Sequence, residues 1–321
     1  MGRRRSGHAI NGWLNIDKAE DVTSTEVVNA IKRLLKPRKV GHAGTLDPIA
    51  TGVLPIALGE ATKTVPYVQD AGKTYRFTVR WGERRNTDDR EGEVTARSGS
   101  RPDPAAIEAV LASFTGDIQQ VPPQFSAVKV QGERAYDLAR AGESLTLASR
   151  PATVYSLALV DVADGDHASF TVRSGKGFYV RALARDLGEK LGCYGHVTEL
   201  ERVAVGGFHL ANAVSSDDLM AMGHDIVLSR YLLPVETALD DIPALALTDQ
   251  EACQLRNGQP VALLRRQDRD RLERFRADRD RALADTDDDA ADRALATCQG
   301  RPIAIVAVEG ASMKPVRILH V

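Results

Sequence analysis

The sequence predicts an α+β protein, with a large mixed domain over residues 1–240 and a small, mostly β domain over 241–321. Three observations lead there. Segments with strand periodicity and segments with helical periodicity follow one another irregularly, without the strand–helix alternation of a doubly wound sheet. The 321 residues are 43% hydrophobic, enough to bury a core of that size and too apolar for wholesale disorder. Residues 233–247 hold two prolines and little periodicity, as expected of a boundary between domains.

In chain order, residues 23–36 form the first predicted helix. Thr23 and Glu26 make a capping box, Val27, Val28, Ile31, Leu34 and Leu35 recur at helical spacing, and Pro37 ends it. Residues 41–52, rich in Gly, Thr and Pro, read as a loop. Residues 74–81 are a strand, with Tyr75, Phe77, Val79 and Trp81 on one face. Asp103 as N-cap and Pro104 at the first helical position open a second helix, with Ile107, Val110, Leu111 and Phe114 as its buried stripe. Strands are expected at 153–163 and 168–174. Gly175 and Gly177 then loosen the backbone before a helix over 179–191, which buries Val180, Leu183, Leu187 and Leu191 and is closed by Gly192. Beyond the boundary, Thr248 and Glu251 cap a helix ending near Gly258, and 303–309 and 314–321 form a hairpin around Gly310. Residues 265–293 interrupt the small domain. Nineteen of these 29 are charged, nine basic and ten acidic, so the segment reads as a solvated helix or a mobile insertion rather than a binding element.

Composition excludes several classes. No apolar run reaches the roughly 18 residues of a membrane helix, and the basic start lacks the apolar stretch of a secretory signal. Cys193, Cys253 and Cys298 are widely spaced and form no CxxC pair, so a reducing cytosol is expected, with no disulfide and no structural zinc. The net charge of -2 shows no bulk basic excess of the kind that marks many nucleic-acid binders. Local basicity is another matter: Lys32, Arg33, Lys36, Arg38 and Lys39 place five cations in eight residues with no acid among them.

Those cations lead into Gly41-His42-Ala43-Gly44-Thr45-Leu46-Asp47-Pro48, which is followed by Ala50-Thr51-Gly52-Val53-Leu54-Pro55. By spacing alone, Asp before Pro is an ordinary turn initiator and the glycines permit the bend. No GxxxxGK[ST] phosphate loop occurs, and His42 has no partner at metal-ligand spacing. No metal and no cofactor are therefore expected.

Taken together, these residues resemble the signature of the bacterial tRNA pseudouridine-55 synthases, the TruB family. Gly59-Glu60-Ala61-Thr62-Lys63 continues the first motif, and Lys73-Thr74-Tyr75-Arg76-Phe77 is similar to the second. Pro122-Pro123-Gln124-Phe125-Ser126-Ala127-Val128-Lys129, with Arg134-Ala135-Tyr136, is similar to the family's RNA-gripping insertion, closed by Arg150-Pro151 and Val154-Tyr155. Ser174-Gly175-Lys176-Gly177-Phe178-Tyr179-Val180-Arg181, with Asp186-Leu187-Gly188, is similar to the third. The likeness is dense over about 12–210 and loose beyond it.

The resemblance implies a pseudouridine-synthase fold with a central mixed, largely antiparallel sheet, an RNA-gripping insertion at about 122–155, and a small C-terminal domain that is β-barrel-like and PUA-like. The implied activity is isomerisation of uridine 55 in the T loop of tRNA, in the cytoplasm, by a monomer with no protein partner and no membrane. Asp47 becomes the carboxylate that attacks sugar or base, or stabilises charge as the glycosidic bond breaks. Arg181 holds it ionised. Tyr75, a core residue on its periodicity alone, becomes a ring stacked on the target base whose hydroxyl moves a proton. Tyr179 and Leu200 line the base pocket, and His42 fills the space left when the uridine flips out of its stack. Lys18, Lys63 and Lys129 are implied substrate contacts, and the cations at 32–39 would meet phosphates. Two departures stand out. The family's Lys-Pro-x-Gly-x-Thr-Ser reads Lys18-Ala19-Glu20-Asp21-Val22-Thr23-Ser24 here, and Glu201 precedes Arg202 where the family has two arginines. Two rival readings fit parts of the pattern: a catalytically silent RNA-binding or RNA-remodelling protein on the same fold, and an Asp-based glycosidase. The second needs two carboxylates, and the Gly41–Pro48 motif holds no acid besides Asp47.

Overall fold

A computed structural model describes residues 7–126, 128–130, 133–140, 146–240, 242–263, 270, 273–274, 277 and 293–321. The large domain begins with β1 (Gly12–Lys18), α1 (Ser24–Leu35), β2 (Val40–His42), β3 (Ala50–Leu58), α2 (Val65–Asp70) and β4 (Lys73–Trp81). A small hairpin of β5 (Glu83–Arg85) and β6 (Val94–Arg97) follows, then α3 (Pro104–Leu111) and β7 (Gly116–Gln120). Next come β8 (Lys129–Val130), β9 (Glu133–Arg134), α4 (Ala135–Arg140), β10 (Arg150–Asp161), β11 (His167–Ser174), α5 (Val180–Lys190) and β12 (Gly195–Val205). The domain closes with β13 (Phe208–His209), β14 (Val214–Ser215), α6 (Ser216–Ala221) and α7 (His224–Tyr231). The small domain holds β15 (Ala244–Ala246), α8 (Asp249–Arg256), β16 (Val261–Ala262), β17 (Arg293–Cys298), β18 (Arg301–Glu309) and β19 (Ser312–Ile318).

Among the described residues, ten strands make one sheet in the order β14-β1-β3-β12-β4-β11-β10-β7, with β2 on β3 and β13 on β12. Two pairs, β1–β14 and β12–β3, are parallel, and the others are antiparallel, so the sheet is mixed and largely antiparallel as expected. Its core packs Ile31 and Leu35 of α1, Leu183 and Leu187 of α5, and Phe77, Trp81 and Phe170 of the central strands. Phe77 and Phe170 stack with centroids 5.3 Å apart across the β4–β11 register. The second sheet runs β15-β17-β18-β19-β16. Leu295 and Ile305 from it, with Leu319 just past β19, join Trp13, Phe208 and Val235 in one apolar seam.

The caps lie where the sequence places them. Thr23 and Glu26 form the reciprocal capping box of α1, and Thr248 and Glu251 that of α8. Asp103 accepts from the Ala106 N–H, and Pro104 opens α3. One assignment is corrected. Residues 41–52 are not all loop: His42 ends β2 and Ala50 begins β3, which leaves 43–49 between two paired strands. β3 was hidden because Gly52 and Pro55 punctuate it, features that argue against a strand by local rules. It is a strand because β1 and β12 flank it, and its apolar side chains are buried almost throughout. β1 and the β5–β6 hairpin are likewise absent from the elements the sequence predicts. The segment between Gln120 and Arg150, expected to grip RNA, leaves and re-enters the sheet at one place, since those two residues are register partners. The charged stretch 265–293 falls almost wholly outside the described residues, and Arg293 begins β17.

Candidate active site around Asp47

The loop 43–49 is held from below by the start of α1. The Ser24 hydroxyl accepts from the Leu46 N–H at 2.9 Å and donates to its carbonyl at 3.1 Å. The Pro48 carbonyl accepts from the Asp21 N–H at 2.9 Å and from Lys18 Nζ at 3.1 Å. Both neighbours of Asp47 are therefore fastened, so its side chain is presented in one direction. Asp21 takes the left-handed conformation, φ 58°, at the place where the family has glycine, and aspartate is one of the few other residues that tolerates it.

Arg181 meets Asp47 from α5. Its Nε lies 2.8 Å from Asp47 Oδ2, and its Nη1 lies 3.4 Å from Asp89 Oδ2. Nη1 also donates to the Thr87 carbonyl at 2.9 Å and Nη2 to the Phe125 carbonyl at 3.0 Å. The arginine side chain is 6% exposed and Asp89 4%, whereas Asp47 is 37% exposed. One carboxylate is thus sealed behind the arginine and the other faces outward, free to meet a substrate. Asp89 is fixed further by the Thr87 hydroxyl at 2.6 Å and the Glu91 N–H at 3.1 Å. Burial raises the Asp89 carboxyl above its ordinary range, while Thr87 and Arg181 draw it down. No motif pointed to Asp89. Its carboxylate is turned into the protein, so it does not supply the outward second acid that a glycosidase needs.

Arg202, noted in the sequence only as what remains of an arginine pair, is fully buried beneath the same loop. Its Nε donates to the Val53 carbonyl at 2.7 Å and its Nη2 to the Gly44 carbonyl at 3.0 Å. It pairs in register with Tyr75 across β12–β4; burial lowers its guanidinium from the ordinary value, and Tyr75, then Asp47, oppose that. Two glycines make this possible. Gly44 takes φ 95°, and a Cβ there would sit 3.3 Å from Arg202 Nη1. A Cβ on Gly52, φ 96°, would stand 2.3 Å from the Arg202 carbonyl. Glu201 points the other way and pairs with Arg76 at 3.2 Å on the exposed face.

The remaining expected residues divide into two groups. Tyr75, half-buried on β4, is the register partner of Arg202, and Leu200 is buried on β12 between Phe77 and Ala50 in register. Tyr179 caps α5. Its N–H donates to Gln120 Oε1 at 2.9 Å and its carbonyl accepts from Gln120 Nε2 at 3.1 Å, and burial raises its phenol while Asp47 adds to the rise. His42 is half-buried at the end of β2. Burial and then Arg202 lower its imidazole, and its Nδ1 is buried without a partner among the described residues. Lys18 and Lys63 are instead committed to partners within the protein. Lys18 is fully buried, with Nζ donating to the Ala19, Val22 and Pro48 carbonyls. Burial pushes it down to about 8, with Asp47, Asp21 and Glu20 opposing. It is an anchor of the loop rather than a surface cation. Lys63 lies at the seam between the sheets, bonded to Glu60 at 2.6 Å and to the Ile318 carbonyl at 2.7 Å. It also lines a cavity of about 300 Å³ with Gly258, Arg317 and His320, to which the Asp47 loop contributes nothing. The backbone of Lys129 on β8 is in register with that of Arg134 on β9, and its side chain lies outside what the structure describes. Lys32, Arg33, Lys36, Arg38 and Lys39 are all exposed. Among the described residues no group of three or more His, Cys, Asp or Glu could hold a metal ion.

The chain matches known proteins over most of its length. Residues 32–180 match the model of the TruB family pseudouridylate synthase N-terminal domain, and 181–240 match that of the tRNA pseudouridylate synthase B C-terminal domain. The tRNA pseudouridine synthase B of Caulobacter vibrioides is 47% identical over 321 residues, covering 100% of this chain and 99% of that protein. The protein of the same name from Rhodospirillum rubrum is 56% identical over 264 residues, covering 82% and 86%. Among solved structures, a chain of a Cbf5-Nop10-Gar1 complex superposes with a TM-score of 0.70 at 23% identity, covering 97% of this chain and 85% of that one, which shows a shared fold.

Proposed function

Because this chain belongs to the TruB family of pseudouridylate synthases, we propose that it isomerises uridine 55 in the T loop of tRNA to pseudouridine. The observation that carries the reading is the Asp47–Arg181 pair, in which a buried guanidinium holds one oxygen of an aspartate that is otherwise open to the surface. A uridine inside the T loop is stacked, so it must be turned out to reach that carboxylate. His42, on the strand that enters the loop, fills the vacated space. Tyr75 and Tyr179 flank the flipped base, and Leu200 gives the pocket an apolar wall. Asp47 supplies the carboxylate against which the N1–C1′ bond breaks. The base rotates, a C5–C1′ bond forms, the C5 proton leaves and N1 gains one. Tyr75 stacks on the base while its hydroxyl moves the proton. The exposed cations of 32–39 meet phosphates beside the flipped nucleotide.

The catalytically silent alternative is not favoured, because Asp47, Tyr75 and Arg181 are all present, with the first and last in direct contact. The reading extends to a monomer that acts in the cytoplasm without a protein partner. No described helix is long and apolar enough to cross a membrane. The test is Asp47→Asn, assayed by single-turnover release of tritium from tRNA labelled at uridine C5, with carbodiimide mapping of the product position. Turnover is expected to vanish while tRNA affinity stays within a few-fold. Wild-type turnover in the variant, or modification at another position, would overturn the reading.

A further inference from the structure

One helical turn beyond Arg181, a second arginine repeats its arrangement. Residues four apart on a helix share a face, so Arg185 projects beside Arg181 from α5. Arg181 bonds the Thr87 carbonyl and the Phe125 carbonyl. Arg185 bonds the Asp88 carboxylate through Nη1 at 2.9 Å and the Val121 carbonyl through Nη2 at 2.8 Å. Its Nε donates to Asp186 Oδ1 at 2.9 Å, which holds the side chain in place. Both arginines therefore bridge the same two strands of chain: the turn 87–89, which carries Asp89, and the segment 120–125, which leads into the insertion.

We propose that Arg185, through Asp88, is a positioning residue for the isomerisation, a second rung that keeps the 87–89 turn and the 120–125 segment in the places where Arg181 must find them.

Asp88 is held in the left-handed region at φ 59°, and its carbonyl accepts from the Val197 N–H at 3.0 Å. Its backbone thus ties the turn to β12 while its side chain ties it to α5. Burial lifts the Asp88 carboxyl to about 6, with Arg185 and Arg181 drawing it down and Asp186 raising it, so water screens the pair little. Such a buried pair adds little net stability, since desolvation offsets much of its attraction, and its best-attested use is to select one geometry. The far side of the clamp has the same purpose. Gln120 brackets Tyr179 through both its amide atoms, and Val121 follows directly. Losing Arg185 frees the segment that holds Tyr179 and offers Phe125 to Arg181, without touching a residue that faces the base.

The inference rests on the proposed activity, and two measurements on the full-length protein keep the two apart. Hydrogen exchange without tRNA reads the clamp itself. In Arg185→Gln, exchange is expected to quicken at 87–89 and 121–125 relative to the rest of the sheet. Single-turnover conversion of tRNA reads its consequence. The rate at saturation is expected to fall about ten- to a hundredfold, the scale of a small misplacement at a reacting centre, with the tRNA dissociation constant within about threefold. Arg185→Lys restores part of the rate. Asp88→Asn combined with Arg185→Gln loses no more than the worse single change, as a pair acting as one unit requires. Unchanged exchange in both segments, or a wild-type rate at saturation, overturns the proposal whether or not the substrate is uridine 55. If Arg185→Gln fails to fold, Arg185→Lys and Asp88→Asn carry the same comparison.

Discussion

Replacing Arg202 with methionine separates stability from activity at this site. The side chain is buried, and its partners include the Val53 and Gly44 carbonyls. Methionine fills much of the space and donates nothing. Each carbonyl left unpaired costs about 1–3 kcal/mol, so the two together cost about 2–6 kcal/mol. Against that stands the guanidinium itself, whose transfer out of water costs several kcal/mol. Removing it recovers that cost, so the two terms offset and the change in unfolding free energy is expected to stay within about 2 kcal/mol. Activity has no such compensation. Gly44 opens the loop that carries Asp47, and without Arg202 its carbonyl is no longer anchored, so a shift of the order of 1 Å and a loss of about a hundredfold follow. The assay pairs tritium release under saturating enzyme with urea unfolding of the same samples. Arg202→Lys, which retains the charge and at least one donor, falls between the parent and the methionine variant. An Arg202→Met protein that turns over within threefold of the parent would refute the reasoning. So would one whose activity and stability collapse together, since Arg202 would then support the fold at large rather than the loop.

The exposed cations give a salt-dependent signature: log affinity for tRNA falls with log salt by about 0.7 for each single-strand phosphate contact. Replacing Lys36, Arg38 and Lys39 with glutamine is expected to flatten that slope and weaken binding while saturated turnover stays near the parent, and an unchanged slope places the RNA elsewhere. Burial holds both Lys18 and Lys73 down at about 8 from an ordinary 10.5. Between those values the unfolded chain binds more protons than the folded one, so these two lysines add stability as pH rises from 8 to 10.5 and nothing below 8. Turnover moves the other way, because a neutral Lys18 can donate only two hydrogen bonds to its three carbonyls. Rates should decline as pH rises through 8 while urea midpoints do not, and flat rates from pH 7 to 9 would contradict the anchoring role. Dialysis against EDTA is expected to leave turnover intact; loss of activity restored by one particular metal would show that a ligand set had been overlooked.

Local patterns carried much of the architecture. The capping boxes at Thr23 and Thr248, the Asp103-Pro104 helix start, and the alternation of Tyr75, Phe77, Val79 and Trp81 all follow rules that act within a few residues, and each has its structural counterpart. Asp47 and Arg181 could be named from the sequence only because their motifs resemble a known family. What the residues could not disclose is long-range pairing. Arg181 reaches Thr87 across 94 positions, and Arg202 reaches Gly44 across 158. No periodicity encodes such a contact, so Asp89 behind Arg181 and Arg202 beneath Gly44 had no local signal. The lysines show the converse. Lys18 and Lys63 look alike in sequence as candidate RNA contacts. Folding buries the first under the Asp47 loop and commits the second to the seam with β19, because carbonyls left unpaired by a turn and by a strand end recruit the nearest long cationic chain. The strand at 50–58 was hidden for the same reason: Gly52 and Pro55 break a strand by local rules, and only the neighbours on either side, β1 and β12, supply the burial and hydrogen bonds that outweigh them.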